Sequence, residues 1–284
     1  MNKVPHWLKI FGHLNRRLTP IRFLRKVLRR IGFGVEGLIK NHGYIDKVRL
    51  GKSWITLHLN DQVDGNIWWN GYYEELPTKL FKRIIKKVGG TIIDIGANIG
   101  YYSIIASELV GNGGNIISLE PVPETFRRLL LNVLPLSNVK AYQVACGPEN
   151  GKIDIYAFGD LVSAGSRISS PPEVNIPYHI EEVNMVKLDD FVDMKVDVVK
   201  IDVEGYELNV LKGMKKIITS NPNIKILLEV NNDLLIKAGS SPQEMFSYLK
   251  SFGLSPWDFD GKKFKKRDSY WANQNMLLFS RFSD

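Results

Sequence analysis

The sequence predicts an α/β fold in which a mostly parallel sheet is covered by helices on both faces. Two observations carry that expectation. Short, largely apolar runs at 91–95 (TIIDI), 115–120 (NIISLE), 139–145 (VKAYQVA), 196–202 (VDVVKID) and 224–230 (IKILLEV) suit strands buried on both sides. Helical stretches follow four of them, near 99–110, 122–133, 206–219 and 241–251, and strands separated by helices of that length join through parallel crossovers.

Ahead of this alternation the chain has a different character. Residues 1–50 carry 12 Lys/Arg against Glu36 and Asp46, a net +10, whereas the remainder is close to neutral at −2. Within that segment PIRFLRKVLRRIG (20–32) places Ile21, Leu24, Leu28 and Ile31 on one helical face and Arg22, Arg25, Lys26, Arg29 and Arg30 elsewhere. Such a basic amphipathic helix suits peripheral contact with an anionic membrane or packing on the body with a solvated basic face. VRLGKSWITLHLN (48–60) alternates as a strand pair, with His58 a strand residue, and Asp64-Gly65 and Asn70-Gly71 are turn signals before a helix from Leu76 to Val88. The chain thus divides into a basic extension, 1–65, and a main domain, 66–284.

Within the main domain GKIDIYAFG reads as an extra strand, and a Ser/Gly/Pro-rich insertion near 159–184 is far longer than the roughly 2–6 residues of an ordinary connection, which points to a substrate-facing loop. KKFKKR (262–267) reads as a solvated hairpin beside the Asp260-Gly261 turn. No apolar run reaches the roughly 18 residues needed to span a bilayer, and the start is too interrupted by charge for a signal-peptide core, so a cytoplasmic location is expected. A single cysteine, Cys146, excludes an internal disulfide framework, and the five histidines show no metal-ligand spacing.

The first strand leads into the ligand chemistry. In TIIDIGANIGYYS the strand ends at Asp94, and Gly96, Ala97, Asn98 and Gly100 form the turn into a helix whose N-terminus offers unpaired N–H groups. The spacing is not GxGxxG. An acid at the strand end repels a pyrophosphate but suits a cationic amino group or sulfonium. Glu120, followed by Pro121, ends the second strand 26 residues after Asp94, where a carboxylate can accept hydrogen bonds from both ribose hydroxyls. Together they point to an adenosine-type ligand without a diphosphate.

With these motifs, and with SLEPVPETFRRLLLNV, VKLDDFV, VDVVKIDVEGYELNVLKGM and ILLEVN in the same order, the sequence over roughly 66–280 resembles the FkbM-type S-adenosylmethionine-dependent methyltransferases. The resemblance implies a class I, Rossmann-like sheet of seven strands with the last antiparallel, a place QNMLLFSRF can fill. It implies S-adenosyl-L-methionine as cofactor and O-methylation of a hydroxyl on a sugar, glycan or related metabolite. It assigns Asp94, Gly96, Asn98 and Gly100 to the first cofactor motif, Glu120 to the ribose, Ala145 to the adenine side and Glu74 to the methionine end.

The stretch VVKIDVEGYE (198–207) ends the fourth strand, which in this fold class faces the donor methyl. An extended chain past Lys200 would put Asp202 and Glu204 on one face and turn Val203 away. Asp202 is expected to position cofactor or substrate, Glu204 to act as general base, and Lys200 to support their charge, while Glu207 serves the following helix N-terminus. A variant assignment makes Asp202 and Glu229 ligands of a divalent cation, with Asn231 nearby. His179, in the insertion, is the one other candidate base, and Tyr72, Tyr73 and Tyr206 are candidates for the acceptor wall. A nucleic-acid methyltransferase draws on the +10 segment but lacks an NPPY-type strand end, so nucleic acid is not the favoured partner; a non-catalytic adenosyl-binding module is the remaining alternative.

Overall fold

The computed structural model describes residues 2–18, 42–158, 166, 168, 177–267 and 274–281. The helix expected at 20–32 and most of the insertion expected near 159–184 lie outside them. The chain opens with β1 (Asn2–Lys3), α1 (His6–Leu18), β2 (Tyr44–Leu50), β3 (Ser53–His58) and α2 (Gln62–Asn70). It continues through α3 (Glu75–Val88), β4 (Thr91–Ile95), α4 (Tyr101–Val110), β5 (Asn115–Leu119), α5 (Pro123–Val133) and β6 (Val139–Tyr142). Next come β7 (Ala145–Gly147), β8 (Gly151–Phe158), β9 (Tyr178–Lys187), α6 (Leu188–Phe191) and β10 (Val198–Ile201). The last part holds α7 (Glu207–Lys212), α8 (Lys215–Ser220), β11 (Lys225–Val230), α9 (Asn232–Lys237), α10 (Pro242–Ser251), β12 (Ser255–Phe259), β13 (Phe264–Lys266) and β14 (Gln274–Ser280). Among the described residues no helix is long and apolar enough to cross a membrane.

The main sheet has the order β13-β12-β14-β11-β10-β4-β5-β6, with β14 antiparallel to β11 as expected. It has eight described strands rather than seven. The eighth is the basic hairpin: Asp260 Oδ1 accepts the N–H groups of Lys262 (2.7 Å) and Lys263 (2.8 Å), turning β13 back onto β12. Its lysines then blunt the sheet edge against further pairing.

Alternation along the parallel strands divides the core in two. Ile92, Ile116, Val198 and Leu227 face α3, α4 and α5, whereas Ile93, Ile95, Val199, Ile201 and Ile226 face α7, α8 and α10. Two sequence expectations change here. The strand read at 139–145 divides, because β6 stays in the main sheet while Ala145–Gly147 crosses to pair with β9. The helix read at 206–219 breaks at Gly213, where a Cβ would meet the carbonyl oxygen of Gly147 at 1.9 Å, so only glycine lets the chain pass β7.

Asp64-Gly65 is not a turn but part of α2, which also spans position 65. Asp61 caps that helix by accepting the N–H groups of Val63 and Asp64 (2.8 and 3.2 Å). The segment is bound tightly to the main sheet's helices. Arg128 of α5 bonds to Asp64 and lies 3.7 Å from Asp61, and all three are buried. Burial pushes the Asp64 carboxyl up to about 7 despite the neighbouring guanidinium. Asn132 Oδ1 accepts the N–H of Thr56 (2.8 Å), and Glu108 Oε1 accepts those of Lys52 and Ser53 (2.7 and 2.6 Å).

Arg128→Met leaves two buried carboxylates without their cation and is expected to lower unfolding free energy by about 3–5 kcal/mol. Because a carboxyl raised by burial favours folding in its protonated form, the deficit measured by urea denaturation should be smaller near about pH 5 than near about pH 8.

Candidate functional site

A cleft open to solvent lies at the carboxyl ends of β4, β5, β10 and β11. It lies where the chain leaves β4 for β5 on one side and β10 on the other, the reversal point at which doubly wound sheets hold ligands. Gly96, Ala97, Asn98, Glu120, Pro121 and Ala145 line one part, and Glu74, Lys200, Asp202, Glu204 and Glu229 line the other.

Beneath the floor runs a row fixed by strand register: Leu227, Lys200, Asp94 and Ser118 are successive partners across β11, β10, β4 and β5. Lys200 is 2% exposed, and its Nζ lies 3.2 Å from Asp94 Oδ1, 3.3 Å from Asp202 Oδ2 and 3.0 Å from the Gly96 carbonyl, to which it donates. Burial opposes the ammonium charge, but the two carboxylates outweigh it and hold the pKa above the ordinary lysine value. The Tyr102 ring, 5.1 Å away, adds a cation–π contact. Ser118 donates to Ser103 (2.8 Å), which donates to Asp94 Oδ2 (2.7 Å). Asp94 is therefore fully buried beneath the loop and forms no part of the cleft wall, contrary to the direct cofactor contact read from its motif.

The glycines of that motif act through space rather than contact. At Gly96 (φ +71°) a Cβ would lie 1.8 Å from the carbonyl oxygen of Asp202, so the two loops cross at van der Waals limits. Gly100 (φ +91°) begins α4 away from the cleft, where a Cβ would press on Leu129 and Val133 of α5. Glu120 is buried, accepting the N–H groups of Asn98 (3.0 Å) and Val122 (3.1 Å), and burial pushes its carboxyl up to about 7 against those bonds.

The fourth-strand acids arrive by a route the sequence did not show. The strand stops at Ile201, and Glu204 takes a left-handed conformation (φ 55°) followed by Gly205 (φ 105°), so Asp202 and Glu204 do not share a face of an extended chain. Glu207 creates this turn. It is 1% exposed, and its Oε1 accepts the N–H groups of Gly205 (3.0 Å) and Val203 (3.3 Å). Thus Glu207 does stand in the first turn of α7, but it also braces the loop that presents Glu204. Asp202, Glu204 and Glu229 each bring one carboxylate oxygen within 4.8 Å of the others. Burial, then the charges of Asp202 and Glu204, raise the Glu229 pKa above the ordinary carboxylate range.

Asn231 instead caps α9, accepting the N–H of Leu234 (3.3 Å). His179 is exposed on β9 beside Glu181 (3.1 Å) and does not line the cleft; neither do Tyr72 and Tyr206, whereas Tyr73 does. Tyr101 and Tyr102, which the sequence reading passed over, join it from the first turn of α4, and the YY pair directly after Gly100 was their available signal. Ser166 and Ile168 of the expected insertion also line the cleft.

A doubly wound sheet with a cleft at its reversal point and an acid at the end of its second strand has the Rossmann-type arrangement. The model of the methyltransferase FkbM domain matches residues 94–255, over half the chain, and the chain belongs to that family. It is 28% identical over 173 residues to the hexuronic acid methyltransferase AglP of Haloferax volcanii, covering 57% of this chain and 62% of that protein. It is 25% identical over 129 residues to a protein-L-isoaspartate O-methyltransferase of Methanococcus aeolicus, covering 40% and 58%. The matched stretch thus spans about three-fifths of the length of these relatives. The crystal structure of methyltransferase FkbM from Methylobacillus flagellatus KT superposes with a TM-score of 0.45 and 16% identity, covering 67% of this chain and 43% of that one.

Lys200→Met exposes the dependence of the cleft floor on its cation. It leaves Asp94 and Asp202 facing one another and should cost about 3–5 kcal/mol in chemical denaturation; a loss of less than about 1 kcal/mol would show that the aspartates do not need it.

Proposed function

We propose that the protein is an S-adenosyl-L-methionine-dependent O-methyltransferase acting on a hydroxyl of a sugar, glycan or related metabolite. The observation that carries this reading is the pairing, across one cleft, of Glu120 with the acidic group Asp202, Glu204 and Glu229. The residues fit the cofactor. Glu120 suits a ribose, Ala145, Cys146 and Ile155 offer an apolar wall to a flat ring, and the acids suit a sulfonium and an amino group. Asn98 Oδ1 is buried at the cleft without a hydrogen-bond partner, an acceptor position for a polar ligand. When bound, the cofactor supplies an electrophilic methyl group.

Within this reading the chain's own residues orient the acceptor and take its proton. Asp202 is engaged by Lys200 and Glu229 and is assigned positioning; Glu204, held on its left-handed turn by Glu207, is assigned the proton. The concentration of acid also favours a hydroxyl over a carboxylate acceptor, because a second anion would be desolvated beside like charge. The name of the Haloferax volcanii relative supports a sugar acceptor. A divalent metal on Asp202 and Glu229, which Glu204 could also reach, is the secondary assignment.

Glu204→Gln is expected to reduce turnover by about 10²–10⁴-fold while calorimetric affinity for S-adenosylmethionine changes little. Equal turnover would remove Glu204 as the base, and no donor binding by the native chain would sink the proposal. Methyl transfer should also persist after exhaustive chelation; loss reversed by added magnesium would assign the three acids to a metal.

A further inference from the structure

Helix α1 has two apolar faces, and the fold uses only one. Leu8 and Asn15 are buried on the inner face, where Gly12 packs so closely that a Cβ would lie 2.6 Å from the Trp68 ring. Asn15 donates to the carbonyl of Trp69 (2.7 Å), and Phe11 stands 5.6 Å from the Trp69 ring. On the outer face Trp7, Ile10 and Leu14, spaced by three and four residues, are 57%, 49% and 47% exposed. No interaction among the described residues accounts for three large apolar side chains in one row, a pattern that marks a contact surface rather than scattered exposure.

The net charge of the N-terminal sequence identifies the partner. The first 35 residues contain nine Lys/Arg and no Asp/Glu, and Lys3, His6, Lys9 and His13 are exposed around the stripe. Lys9 bonds to Asp46 (2.8 Å), which also accepts from Trp68 Nε1 (2.9 Å), so the helix is anchored to the body at its flank and its outer face is held outward. A row of tryptophan and aliphatic side chains within a segment of net positive charge has the chemistry of a helix lying in the interface of an anionic bilayer. A protein partner with an acidic rim would satisfy the charge alone, but tryptophan at the head of the stripe favours the lipid interface.

We infer that the outer face of α1, through Trp7, Ile10 and Leu14, docks the protein on an anionic lipid bilayer. This surface is separate from the cleft, and its test does not depend on methyl transfer. The full chain should float with phosphatidylglycerol-containing vesicles, and less so in high salt, but not with pure phosphatidylcholine vesicles. The triple variant Trp7→Ser, Ile10→Ser, Leu14→Ser should lose at least about tenfold in vesicle affinity with its thermal melting unchanged. As a second readout that preserves folding, lipids brominated in the acyl chain should quench tryptophan emission less in Trp7→Phe than in the native chain. Equal vesicle binding by the triple variant, or failure of the native chain to bind anionic vesicles, overturns the inference. So does a native dimer that the triple variant converts to monomer, which would make the stripe a self-contact.

Discussion

Lys200 is buried in a strand and balanced by Asp94 from the neighbouring strand and by Asp202 just beyond its own. Removing Lys200 and Asp94 from water is costly, so each needs the other, and the partly exposed Asp202 adds to the balance. The lysine also donates to the Gly96 carbonyl, which ties the loop after β4 to the loop after β10. Residues of both segments line the cleft. Strand register makes the tie possible by placing Lys200 directly beside Asp94, and the serines at 103 and 118 complete the row without an apolar mismatch.

Above that floor, backbone geometry decides where the acids point. Gly96 leaves room for the Asp202 carbonyl, and Glu207 draws the N–H groups of Val203 and Gly205 inward. A left-handed residue between them follows from these bonds and carries Glu204 at the cleft wall. Non-glycine residues enter that region at a cost, and the buried Glu207 carboxylate supplies the compensation. The polar and apolar sides of the cleft thus have separate origins: the acids come from the main sheet, and much of the apolar wall comes from the small β7-β9-β8 sheet that diverts the chain after β6.

The N-terminal segment is not a loose appendage in energetic terms. Its strands and α2 share a continuous apolar core with α3, α4 and α5, and the joint is stiffened by Arg128 against two buried aspartates. Composition separated this segment from the rest by charge, yet charge describes its surface and not its interior. Leu8, Ile55, Leu57 and Ile67 are as buried as any residue of the main sheet.

By itself the sequence determined the alternating strands and helices, the glycine turn and the acids at the strand ends, because apolar periodicity and strand-end position are local properties, while its resemblance to a known family supplied the antiparallel last strand and the places of Glu74 and Ala145. It also marked VVKIDVEGYE as unusual. Only the tertiary structure decided that Asp94 sits below the cleft bonded to Lys200, that Glu207 shapes the turn presenting Glu204, and that Tyr101 and Tyr102 join the wall. The division at Gly213 and the edge strand at Phe264–Lys266 were likewise settled by neighbours distant in the chain. The physical reason is common to all of them: a buried charge or a crowded glycine has no meaning until its partner, often a hundred residues away, arrives beside it.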